Sequence, residues 1–271
     1  MCFATSRTAR LDRLVHEKLP FVRGGFLQKL FRKKEVKVNG SQQKADFLVS
    51  VKSEIEIFLP DSRKYFFTLT GCHILFEDSE LIAFNKRAGL SVHAGIGTHG
   101  NTLREAADLL LSERLIIVHR LDRDTSGIIV LAKNAKMARK LEVEFRKRNT
   151  QKIYHAVISG VPKTDSGLID FRLKKVGRKM EVVSHGGFTA KTKWRVVQKF
   201  TNTTLVEIEL VTGRTHQIRI HFSVFGYPIL GDRIYGNEEL ASRLMLHASK
   251  LKILKYNFFA QVPPEFNFNE N

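Results

Sequence analysis

Cysteine is nearly absent from this 271-residue chain: only Cys2 and Cys72 occur. Two thiols can build neither a disulfide framework nor a four-thiolate zinc site, so a reducing, cytoplasmic setting is expected. No apolar run approaches the roughly 18 residues of a membrane helix, and no membrane partner is expected. Residues 1–13 lack the apolar core of a secretory signal, so no signal peptide is expected either. Internal repeats and low-complexity blocks are missing as well. Acidic residues are in short supply, with 27 Asp and Glu against 45 Lys and Arg, a net charge of +18. The pI is near 10.0. A charge that large bears on partners rather than fold. Nucleic acid is favoured over an anionic membrane, because no basic amphipathic helix carries an exposed Trp/Phe face.

What is present suits a core: 43% of residues are hydrophobic, and the length fits a large domain plus a small one. Residues 1–64 read as the small one, with 14 Lys and Arg against 7 Asp and Glu. Leu11, Leu14, Val15 and Leu19 fall at helical spacing, and so do Phe26 or Leu27, Leu30 and Phe31. Val36 and Val38 alternate with charge before Asn39-Gly40, a hairpin turn. Glu54-Ile55-Glu56-Ile57 alternates again. Arg23, Lys29, Arg32, Lys33 and Lys34 crowd the second helix and its end, as an RNA contact or as a plain solvated face. Asp61–Gly71 reads as a linker or first strand.

In residues 65–271, Ile74–Phe76 and Leu81–Phe84 flank a polar turn, a hairpin signature. Lys86–Gly100 is a glycine-rich loop whose His93 and His99 match no zinc spacing. Thr102 caps a helix bearing Leu103, Ala106, Ala107 and Leu110. The polar loop His119–Gly127 lies between two apolar runs, a way to lift Asp122 out of a core onto a rigid rim. Its plain alternative is a capped turn. Ala135–Arg148 is an amphipathic helix with a basic face. Strands are expected at Gln151–Gly160, Thr189–Val197, Leu205–Val211 and Leu244–Lys252. Thr215 is expected to cap a helix that Gly226 ends, and the tail from Pro263 to fray.

Three separated segments carry a resemblance. They are His119-Arg120-Leu121-Asp122 with Thr125-Ser126-Gly127, then Lys152-Ile153-Tyr154 with Ala156, then Gly213 through Arg219 with His221. Gly231-Asp232, Tyr235-Gly236 and Leu246-His247-Ala248 follow in order. From about residue 70 to 255 the chain resembles the pseudouridine synthases, in their large-subunit RNA-uridine branch. One departure is Arg87, where the family often has proline. Residues 1–64 resemble the RNA-binding module shared with a small-subunit ribosomal protein of the S-four type, on RLDRLV, the second basic helix, KKEVKVNG and EIEI.

The resemblance implies an α+β protein with a mixed, mostly antiparallel central sheet and peripheral helices. It implies isomerisation of uridine to pseudouridine in RNA without cofactor or metal: the glycosidic bond is cut, the base turns, and it rejoins through carbon 5. On it Asp122 is the catalytic carboxylate, by attack on the sugar or by removal of a sugar proton. Arg219 is its cation, whose fork can hold both carboxylate oxygens. Tyr154 faces the base, to stack or to move a proton; a buried strand aromatic is its plain alternative. Leu121 and Ile218 wall the pocket, or merely fill core. Arg120 fills the gap left by the flipped base. His119, Thr125 and Arg214 complete the substrate-binding set. Ribosomal RNA is the expected partner and a monomer the expected state. A non-catalytic RNA binder and a transfer-RNA enzyme stand as alternatives. A His119/Asp122/Ser126 hydrolase is rejected, because the three lie too close in sequence and no G-x-S-x-G elbow occurs. His216 and His221 as metal ligands fail on their i,i+5 spacing.

Overall fold

A computed structural model describes residues 2–19, 24–58, 71–94, 102–111, 114–177, 179–236 and 241–267. The chain divides into two compact units, residues 1–70 with 93–115 and residues 71–92 with 116–271. No helix among the described residues is long and apolar enough to cross a membrane.

The first unit holds β1 (Cys2–Ala4), β2 (Ala9–Arg10), α1 (Leu11–Lys18), α2 (Gly24–Arg32), β3 (Val36–Val38), β4 (Ser41–Gln42), β5 (Leu48–Val49), β6 (Glu54–Ile57) and α3 (Leu103–Leu111). The apolar stripe of α1 buries Leu11, Leu14 and Val15. Strands order as β1-β6-β3-β4, with β2 and β5 paired separately. Asn39 and Gly40 both take positive φ, 50° and 77°, the conformation a two-residue hairpin turn needs. Thr102 caps α3 by a reciprocal pair: its hydroxyl accepts the Glu105 N–H at 3.3 Å, and its own N–H donates to Glu105 at 3.2 Å. Residues 59–70, the expected linker, lie outside the described residues, as does His99.

The second unit is built on strands β7 (His73–Glu77), β8 (Leu81–Lys86), β9 (Ile116–Ile117), β10 (Ser126–Ala132), β11 (Gln151–Ser159), β12 (Ser166–Val176), β13 (Lys179–Val183), β14 (Phe188–Lys199), β15 (Thr203–Leu210), β16 (Leu246–Ile253) and β17 (Tyr256–Phe259). They form one sheet of order β13-β12-β14-β15-β11-β16-β10-β8-β7, with β17 on β16 and β9 on β10. Every pairing is antiparallel except β10 with β16. The mixed, mostly antiparallel sheet expected from the sequence is therefore present. Among the described residues of this unit the α-helices are α4 (Ala135–Lys147) and α5 (Gln217–Val224). Asn134 caps α4 by accepting the Met137 N–H at 2.9 Å. Met137, Ala138 and Leu141 of α4 pack on Leu81, Ile128 and Val130. Burying one such leucine contributes about 2 kcal/mol.

Register across the sheet gathers the sequence motifs into one row. Lys86 pairs with Gly127, Gly127 with Ala248, Ala248 with Tyr154, and Tyr154 with Ile208. Gly127 has φ +111, and a Cβ there would lie 2.3 Å from the Ala248 carbonyl oxygen. Only glycine lets the parallel strands approach this closely.

Three expectations need correction. The residue capping α5 is His216, in left-handed geometry with φ 53°, not Thr215. The tail does not fray at Pro263: Pro264–Phe266 form a 3-10 turn, and Phe266 is buried in the core beside β16. Lys86 is not a loop residue but the fully buried end of β8.

Candidate active site

The loop carrying Asp122 is pinned on every side. At its start, His119 Nε2 accepts the backbone N–H of Val130 at 2.9 Å, and its ring packs 4.7 Å from Phe145. Burial, then the nearby Lys152, pushes the His119 pKa down to about 3, so it is a neutral positioning group. Within the loop, the Thr125 N–H donates to the Asp122 carbonyl at 3.2 Å. From beneath, the Lys86 ammonium donates to the carbonyls of Arg123 (3.1 Å), Arg87 (3.0 Å) and Leu90 (2.9 Å). Burial lowers the Lys86 pKa to about 7, yet three carbonyls match the three donors of an ammonium. At the exit, Ser126 Oγ lies 2.9 Å from His247 Nδ1 and accepts from Arg243 Nη1 at 3.1 Å. Ser126 is thus a structural tie between β10 and β16, and His119 is tied to backbone.

Asp122 stands half-buried with two groups on one oxygen. Arg219 Nη1 comes within 3.6 Å of its Oδ2, and His216 Nε2 within 3.9 Å of the same atom. The fork of Arg219, expected to hold Asp122, is occupied elsewhere. Its Nε and Nη2 donate to Asp232 at 2.8 and 2.7 Å, so Nη1 alone is left for Asp122. Asp232, 1% exposed, also accepts the N–H groups of Ile234 (2.9 Å) and Tyr235 (3.1 Å). Burial raises the Asp232 pKa, but the Arg219 bond and charge and the two N–H donors outweigh it, and the net shift is downward. Burial likewise opposes the charge of Arg219, and its two carboxylates reverse that, giving a net upward shift. The site thus carries one shared cation between two carboxylates.

Local sequence explains how α5 delivers this arginine. The buried Gln217 side chain donates to the Lys191 carbonyl and to Thr192 Oγ1, both at 3.0 Å. Its oxygen accepts from Thr212 Oγ1 (2.7 Å) and from the Arg214 N–H (3.0 Å). These four bonds staple the Gly213–Thr215 turn to β14. Ile218 and Arg219 follow, both buried. The Tyr154 phenol lies in the same cleft; burial, then the Asp122 charge, pushes its pKa well up, so the ring is present as neutral phenol.

A cleft of about 500 Å³ is lined by His119, Arg120, Leu121, Asp122, Thr125, Tyr154, Arg214, Ile218 and Arg219, all expected from the sequence. Arg120 is exposed at its edge. Arg146, Arg148 and Lys152 also line it and were not anticipated, although the basic face of α4 was the available signal. Asp232, His216 and Lys86 were missed as site residues. A lysine ending an apolar strand was the one legible hint for Lys86. The remaining basic candidates belong to the first unit. Arg32, Lys33 and Lys34 are exposed at the end of α2; Arg23 and the side chain of Lys29 lie outside the described residues.

A half-buried carboxylate beside a buried arginine in a basic cleft suits chemistry on a polyanion through an acidic side chain. Residues 80–224 match the model of the RNA pseudouridylate synthase family. The chain is 31% identical to the ribosomal large subunit pseudouridine synthase C of Vibrio cholerae, over 90% of this chain and 85% of that one. The protein of that name in Rickettsia bellii is also 31% identical, over 96% of both chains. Among solved structures, human RNA pseudouridylate synthase domain containing 4 superposes with a TM-score of 0.63 at 29% identity, covering 75% of this chain and 94% of that one. This chain belongs to the RNA pseudouridylate synthase family, and it is an isomerase of RNA uridine.

Proposed function

We propose that this chain converts particular uridines of large-subunit ribosomal RNA to pseudouridine in the cytoplasm, with Asp122 as the catalytic carboxylate. The observation that carries the reading is Asp122 in the cleft, 3.6 Å from a buried arginine that Asp232 holds in place. Long relatives named for large-subunit RNA support the substrate. In this reading the Asp122 carboxylate meets the ribose, with Arg219 and His216 beside it. The bond from C1′ to N1 breaks and a bond from C1′ to C5 forms. The proton lost at C5 is balanced by one gained at N1, so no oxidant or reductant enters. Tyr154 offers its ring to the uracil face. As a neutral phenol it can pass a proton along, but the phenolate a strong base would need is disfavoured. Leu121 and Ile218 give the base an apolar wall. Arg120, free at the edge, takes the place of the flipped nucleotide in the helix. Residues 1–64, read as an S-four-type module, supply RNA affinity through Arg32, Lys33 and Lys34.

Pseudouridine mapping of total RNA, with and without the gene, tests the substrate. Large-subunit sites should vanish in the deletion; losses confined to transfer RNA would replace the substrate, and no losses would refute the function. In the same strain, Asp122→Asn should fail to restore the sites. In vitro it should lower turnover roughly a thousandfold or more while leaving RNA affinity near the parent value.

A further inference from the structure

One aromatic ring on the cleft side of the molecule is placed with more structure than an ordinary surface residue needs. Phe188 opens β14 and is 62% exposed. The turn before it is locked: Arg172 donates to the carbonyls of Gly186 (2.6 Å) and Gly187 (3.1 Å). Gly187 has φ +63, and a Cβ there would lie 2.7 Å from the Leu173 carbonyl oxygen. Phe188 is therefore held in register opposite Leu173 on a paired strand, not on a loose loop. Arg214, a lining residue of the cleft, lays its guanidinium 4.8 Å from the centre of the Phe188 ring. The backbone of Arg214 is fixed by Gln217, and its buried Nε has no hydrogen-bond partner. Arg172, which locks the turn, is itself exposed.

We infer that Phe188, backed by Arg214, is a stacking platform for an unpaired nucleobase of the RNA next to the uridine in the cleft. A nucleotide drawn into the cleft leaves its neighbours without a stacking partner. A largely exposed flat ring with a guanidinium against it, at the border of a basic cleft, is what such a base would meet. The inference rests on RNA being the substrate, as proposed above.

The probe is a uridine dodecamer carrying 2-aminopurine at alternate positions, whose fluorescence falls when the base stacks. Binding to the wild-type protein should quench it. Phe188→Ala should lose most of that quenching and bind roughly tenfold more weakly. Phe188→Trp should restore both, and Phe188→Leu, apolar but not flat, should restore neither. Quenching and affinity unchanged in Phe188→Ala, or recovered in Phe188→Leu, would overturn the platform. On a large-subunit ribosomal RNA transcript, Phe188→Ala should raise KM and leave kcat unaltered. A wild-type protein that modifies no uridine would defeat the functional reading, while the quenching series would still judge the platform.

Discussion

Arg219 serves two carboxylates, and the difference between them decides what its loss would do. Asp232 is buried and bidentate; Asp122 is half-buried and meets a single nitrogen of Arg219, at 3.6 Å. Arg219→Ala should therefore destabilise the fold chiefly by stranding Asp232, at a cost of about 3–5 kcal/mol. Replacing both as Arg219→Met with Asp232→Leu should recover most of that stability, since apolar groups of similar size tolerate the same burial. The double variant should remain inactive, because Asp122 has lost its cation. Chemical denaturation alongside a turnover assay separates the two effects. A double variant as unstable as Arg219→Ala would show that Asp232 is not the stranded group.

At the level of elements, the site depends on a parallel strand pair inside an antiparallel sheet. β10 and β16 meet at Gly127 and Ala248, and Tyr154 is paired on the far side of Ala248. Gly127→Ala must open that contact, and the backbone φ there disfavours any side chain. The expected loss is about 3 kcal/mol or more, with turnover falling further than RNA affinity because Asp122 moves against Tyr154. Denaturant midpoints and RNA titrations measure both. A fully stable Gly127→Ala protein would contradict the close approach. The sequence showed β10 as a short apolar run and β16 as a late strand, but pairing β10 with β16 joins residues about 120 positions apart, and no local pattern encodes that.

The whole molecule carries two further tests, one of stability and one of charge. His221 and His247 are buried and His119 is part-buried, with pKa values near 4, 4 and 3, below the ordinary 6.5, chiefly because of desolvation. His221 has no hydrogen-bond partner at either nitrogen and sits edge-on to Phe171. Between pH 6.5 and 4 the unfolded chain binds these protons and the folded chain does not. Stability is thus full above pH 6.5 and falls as pH drops toward 4. His221→Leu should remove one proton from that slope, about 1.4 kcal/mol per pH unit, read from denaturation at several pH values. An unchanged slope would mean that His221 titrates normally. Reversing Arg32, Lys33 and Lys34 to Glu should weaken RNA binding and reduce the slope of log affinity against log salt by about 2 to 3. A constant slope would remove this surface from the RNA contact. Charge reversal is the better probe than truncation at residue 64, because the first unit also includes residues 93–115.

By itself the sequence determined a basic, cysteine-poor chain, and its family resemblance implied an α+β protein acting on RNA with Asp122, Tyr154 and Arg219 in its site. Those features are local: charge is a sum over residues, periodicity spans a single element, and motif segments are contiguous. Only the tertiary structure decided that the fork of Arg219 belongs to Asp232, that Lys86 ties the Asp122 loop to the end of β8, and that Phe188 stands on the Arg214 side chain. Each of these needs two chain segments far apart in sequence to meet at hydrogen-bonding or stacking distance. Such meetings are fixed by strand register and buried partners across the sheet, which no single segment specifies.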